Sequence, residues 1–116
     1  MLTESRIINV MGTDVRILFK GDADDNNLSE SSGYYDPSQS IIVVKIPDEE
    51  RNCVGNLENW QKEVLRHEII HAFLHESGLA WCTAETDCWA MNEEMVDWFA
   101  LQSPKIFKIF KEQELV

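Results

Sequence analysis

All three histidines of this 116-residue chain, His67, His71 and His75, lie in the stretch LRHEIIHAFLHESGL from Leu65 to Leu79. His67-Glu68-Ile69-Ile70-His71 is the pattern H-E-x-x-H. On a helix its two histidines stand one turn apart on one face, close enough to bind a single Zn2+ at about 2.0–2.1 Å each. Glu68 lies on the flank of that face, where a carboxylate can reach a water beside the metal without ligating it. The plain alternative is a pair of ordinary helix histidines, because a five-residue pattern with two open positions recurs by accident. Against it stands the apolar setting, since imidazoles and a carboxylate facing an apolar interior are costly to desolvate unless paired or metal-bound.

A catalytic zinc site takes three protein ligands and keeps one position open. The extended pattern H-E-x-x-H-x-x-G-x-x-H fails here, because Leu74 and Ser77 occupy the glycine and last histidine positions. The best remaining source is Asn92-Glu93-Glu94-Met95-Val96-Asp97, where Glu93 and Asp97 share one helical face at i, i+4. In this reading Glu93 is the third ligand, and Asp97 accepts the distal N–H of His67 and sets its tautomer. Glu94 points about 100° away, towards solvent or a cap. Exchanging the two glutamates keeps a ligand but loses the paired Asp97, and that alternative stays open. His75 sits about 80° round the helix from His67, suited to rim the site rather than to ligate.

These residues need elements to hold them. Trp60, Val64, His67, His71 and Leu74 follow a helical period, which predicts a helix from about Leu57 to Ser77, with Gly78 as its left-handed cap. Leu65, Ile69, Ile70 and Phe73 make the other sides of its second half apolar as well, so that half is expected to be buried all round. Ahead of it, RIINV and DVRILF flank Met11-Gly12-Thr13 as a tight hairpin. The almost wholly polar run from Gly21 to Gly33 reads as a mobile surface loop. A turn at Asp36-Pro37-Ser38 then leads into a strand over Ile41–Val44 that ends by Pro47. Downstream come a loop with Trp81 and Trp89, which either wall the cleft or pack in the core, and a helix from Asn92. Ser103-Pro104 supplies an N-cap and first turn for a separate last helix, KIFKIFKEQ. Strands first and helices after favour an α+β fold, a single domain over residues 1–116 with helices packed on one face of a small sheet.

Composition narrows the partners. With 44% hydrophobic residues the chain can build a core without disulfides, and a net charge of −11, from 10 basic and 21 acidic residues, argues against a nucleic-acid partner. No apolar run is long enough for a signal h-region or a membrane span, so no membrane partner is expected and the setting is read as cytoplasmic. Cys53, Cys82 and Cys88, odd in number and without zinc-knuckle spacing, read as free thiols.

HEIIH with NEEMVD downstream resembles the gluzincin arrangement, H-E-x-x-H followed by N-E-x-x-x-D. The short chain, the H-E-x-x-H-x-x-L run and EEMVDWFA more closely resemble the small ImmA/IrrE-like metallopeptidases of phages, prophages and mobile elements. The match runs from roughly Trp60 to Ser103 and departs from the common E-x-E-A-N form at Met95, Val96 and Asp97. It implies a minimal zincin-like domain: a small antiparallel or mixed sheet, a central H-E-x-x-H helix and two C-terminal helices. It also implies one zinc ion per chain and a protein or peptide substrate, with transcriptional repressors as the candidate class. Glu68 would take a proton from a metal-acidified water and return it to the leaving amine. Thermolysin-like enzymes hold the oxyanion with a distal histidine, which this chain lacks, so Tyr34 or Tyr35 is the candidate donor. An IIVV strand at the sheet edge would let an extended peptide pair with it. The competing readings are a catalytically idle, zinc-stabilised binding module and a metal-free helical domain with incidental histidines. Glu68 favours the peptidase, since a closed structural site has no use for a general base.

Overall fold

The computed structural model describes residues 1–48, 55–83, 85 and 87–116; Cys53 lies outside them. Four strands come first, β1 (Arg6–Val10), β2 (Thr13–Lys20), β3 (Gly33–Asp36) and β4 (Ile41–Lys45). The helices follow: α1 (Leu57–Glu76), a single turn α2 (Leu79–Cys82) and α3 (Glu93–Glu112). The fold is α+β, a four-stranded mixed sheet ordered β1-β2-β4-β3 with helices packed behind it. The β2–β4 pairing is parallel and the other two are antiparallel.

The expected hairpin forms with Met11 and Gly12 as its two loop residues, both at positive φ (52° and 97°), the backbone that matches strand twist. Asn9 Oδ1 accepts the Gly12 N–H at 3.0 Å and closes the turn. Val15, Ile17 and Phe19 of β2 and Ile42 and Val44 of β4 face α1, meeting Leu65 and Ala72. Ile41 and Val43 face the other way, against Leu28.

Pairing on both sides rules out the edge position on which peptide pairing with IIVV depended. β4 is paired with β2 on one side and β3 on the other, and four consecutive apolar residues are the pattern of a strand covered on both faces. The edges belong to β1 and β3. The polar run before β3 is also more structured than expected, because it must cover the second face. A short 3-10 turn over Asn26–Ser29 seats Leu28 fully buried, and Asp25 caps it by accepting the Asn27 N–H at 3.0 Å.

A third correction concerns Ser103-Pro104, which opens no new helix: α3 runs unbroken through it, so one long C-terminal helix and the short α2 replace the two expected. Proline lacks the N–H that would bond the carbonyl of Ala100, one turn back. Arg66 of α1 supplies the missing donor, its Nε–H reaching the Ala100 oxygen at 2.6 Å. A tertiary hydrogen bond replaces the local one and pins α3 to α1 beside His67.

Candidate metal centre

α1 begins at Asn56, which accepts the Asn59 N–H at 3.0 Å, and ends against Gly78 at φ 83°. Between these caps it rests on the sheet at Leu65 and Ala72, so the H-E-x-x-H face is turned towards β3 and α3. Gln61, which the sequence reading passed over, fixes the helix against the chain's first residues. It is fully buried, its Oε1 accepts the Leu2 N–H at 2.6 Å, and its Nε2 donates to the carbonyls of Leu2 and Lys45 at 2.9 and 3.2 Å. Gly33 lets β3 press close: a Cβ there would stand 2.7 Å from the Val43 oxygen and 2.8 Å from Val64, one helical turn before Glu68.

α3 starts at Asn92, whose side chain accepts the Met95 N–H at 2.9 Å. That start puts Glu93 and Asp97 against α1. His67 Nε2 and His71 Nε2 are 3.1 Å apart, Glu93 Oε2 is 3.0 Å from the first, and Glu93 Oε1 is 3.0 Å from the second. The Asp97 carboxylate accepts the Nδ1–H of His67 at 2.6 Å. Glu94 is exposed and stands outside this group, so Glu93 takes the corner that the sequence left open between them.

The donor set suits a divalent cation. With Nδ1 of His67 directed at Asp97, its Nε2 faces His71 Nε2 and the Glu93 carboxylate, so three potential ligand atoms converge. Burial pushes the His71 pKa down, which favours its neutral, ligating form. Ligands of a tetrahedral ion at about 2.05 Å stand about 3.3 Å apart, close to the separations found here.

Glu68 is buried beneath this triangle, its Oε1 3.9 Å from His67 Nε2. Burial raises its pKa to about 7; the His67 charge opposes that rise, while Glu93 and Asp97 reinforce it. The triangle opens into a cleft of about 400 Å³ that Tyr35, His75, Ala90 and Met91 help to wall. On its other side a second hollow of about 300 Å³, reaching Trp60 and Glu63, shares His67, Glu68 and Glu93 with the first. Together they form a groove beside β3.

The two tyrosines fare differently, as neighbours on a strand must. Tyr34 packs on the outer face with Leu28 and gives its hydroxyl proton to Asp25, so that donor is already used. Tyr35 faces α1 with its hydroxyl buried and, among the described residues, unpartnered. Burial, then the charges of Glu76 and Asp36, raise its pKa and keep it protonated. His75 does rim the cleft: its Nε2 accepts the Trp81 indole N–H at 3.1 Å, and Tyr35 meets its ring edge-on. Trp81 and Trp89 are neither core nor cleft wall; both are exposed, and Ala80, Ala90 and Met91 take the lining positions. Nor is the second half of α1 buried all round, since Phe73 on its outer flank is exposed. No disulfide joins Cys82 to Cys88.

No protein-family model, curated protein or solved structure matches this chain. Among the described residues no helix is long and apolar enough to cross a membrane.

Proposed function

We propose that this chain is a zinc-dependent endopeptidase of the ImmA/IrrE-like kind, acting on an extended segment of a protein. The observation that carries the reading is the triangle of His67, His71 and Glu93 ligand atoms, with the buried carboxyl of Glu68 beside it. A structural metal site would leave that burial unexplained, because a carboxylate that ligates nothing costs stability in an apolar pocket.

When bound, the cation supplies Lewis acidity, acidifying a water and polarising the scissile carbonyl. The chain's own residues do the rest. Asp97 holds His67 with its proton on Nδ1, so that Nε2 faces the site. Glu68, whose Oε1 lies 3.9 Å from His67 Nε2, would take the proton of the attacking water on its carboxylate and return it to the leaving amine. The exposed edge of β3, opposite its pairing with β4, offers backbone groups to an extended peptide along the groove. This moves the peptide-pairing role from β4 to β3.

The resemblance makes a repressor of a phage or mobile element the first substrate to test, in a cytoplasmic setting. Purified chain with measured zinc content is incubated with candidate repressors beside the Glu68→Gln variant. Cleavage by wild type and none by the variant, at equal zinc content, is the expected result. Zinc bound at one per chain with no proteolysis in either would favour the idle binding module. Failure to bind zinc or any other divalent ion would remove the proposal altogether.

A further inference from the structure

The groove beside β3 changes its chemistry as it passes the metal group. On the side of Tyr35 and Pro37, the cleft of about 400 Å³ is walled by Leu74, Ala80, Ala90 and Met91. Apart from Glu68 and Glu93, no Asp, Glu, Lys or Arg lines it. On the side of Ser32, the hollow of about 300 Å³ is walled by Trp60 and Glu63. Past Trp60 a third hollow, of about 380 Å³, sets Asp22, Glu30 and Asp48 against the single base Lys45. One end of the groove is apolar and the other acidic.

Three of the four acids in the 300 Å³ hollow already have tasks. Glu93 belongs to the triangle, Asp97 holds His67, and Glu68 lies buried beneath them. Glu63 has none. It is half-buried, and among the described residues no hydrogen bond or ion pair engages its carboxylate. Arg66, the base one turn further along α1, is held at the Ala100 carbonyl instead. Trp60, one turn before Glu63 on the same face, is half-buried too and has no aromatic or cationic partner among the described residues. A free carboxylate beside an open indole is a receptor for a cation on an aliphatic stem, the head paired with the acid and the stem laid along the ring.

We infer that the substrate carries Lys or Arg immediately after the cleaved bond, seated between Trp60 and Glu63, and a large apolar residue two positions earlier, in the Leu74 and Met91 cleft. This rests on the peptidase reading and adds to it the sequence that the site selects. The spacing follows from strand geometry. Both hollows are lined by α1, and an extended peptide turns alternate side chains to one face, so residues two apart fill them. The residue between brings its carbonyl over the triangle. The direction follows from the β3 edge, where antiparallel pairing is the more stable. A peptide antiparallel to β3 runs from the Tyr35 end towards Ser32, which puts its apolar residue first and its basic residue after the bond.

Digestion of a mixed peptide library by the zinc-loaded chain, with the new termini read by mass spectrometry, tests the assignment. Lys or Arg is expected at the new N-terminus and a large apolar residue two positions before the cut. A matched peptide with Lys in that place should have a kcat/KM at least about tenfold above its Gln counterpart. Glu63→Gln should erase that ratio, and Glu63→Lys should turn it towards Glu, both at unchanged zinc content. Cleavage indifferent to charge at this position, or a Lys preference that survives Glu63→Lys, overturns the assignment and leaves the peptidase reading standing. Basic residues found before the cut instead of after it overturn the direction on which the assignment depends. A zinc-loaded chain that cleaves no peptide removes the peptidase reading and this inference with it.

Discussion

The two flanks of α1 invert the usual relation between hydropathy and burial. On the cleft side Glu68 is only 7% exposed, whereas on the outer side Phe73 is 45% exposed. Burying an ionisable group costs free energy unless something offsets it, and exposing a large ring forgoes burial worth about 1.5–3 kcal/mol. Under the proposed function, a cation and a substrate would offset that cost on the cleft flank. Stability alone would have exchanged the two residues.

The inversion can be broken from the cleft side first. Glu68→Gln keeps the shape and removes the base, so the hydrolytic rate should fall by about 10³-fold or more with zinc content unchanged, as read by product formation against metal analysis. Next in size, Glu93→Ala should abolish stoichiometric zinc binding in equilibrium dialysis, while Glu94→Ala leaves it intact; equal losses would dissolve the distinction between the neighbours.

A third effect is on stability and has a defined sign. The Glu68 carboxyl titrates near 4.5 when unfolded and at about 7 when folded, so between those values the native state holds the extra proton. The metal-free protein must then lose stability as pH rises through that window. Glu68→Gln should be more stable than wild type by on the order of 2–3 kcal/mol at about pH 8 and nearly equal to it at about pH 4, measured by denaturant unfolding with chelator present. His71 acts on the other limb: burial favours its neutral form, so the metal-free protein also loses stability as pH falls below the ordinary histidine value of 6.5.

Smaller effects sharpen the picture. Asp97→Asn releases the His67 tautomer and should weaken zinc binding by about 10–100-fold by competition titration. The smallest concerns the α1–α3 clamp. Arg66→Leu leaves the Ala100 carbonyl short of a donor at a cost of about 1–3 kcal/mol, and Pro104→Ala returns the backbone N–H and should recover about 1 kcal/mol of it in a double-mutant cycle.

Much of the site was legible because it is local. Two histidines one turn apart, a carboxylate between them, and Glu93 with Asp97 on one face of the next helix follow from helical period, and Gly78 marked the end of α1 by its freedom to turn left-handed. The errors fall where a residue's fate depends on partners distant in the chain. A run such as IIVV states that both faces are covered, but only the β3 and β4 pairing shows which strand takes the edge. Leu28, alone in a polar stretch, gave no period from which its burial could be read.

By itself, then, the sequence determined which groups can ligate, which can move a proton, and that helices present them, because those properties belong to side-chain chemistry and short-range geometry. The tertiary structure alone decided that Glu93 rather than Glu94 reaches the histidines, that Tyr34 spends its proton on Asp25, and that α3 passes unbroken through Pro104. Each of those outcomes turns on a contact between elements many residues apart, and hydrogen bonds and packing at that range leave no periodic trace in the chain.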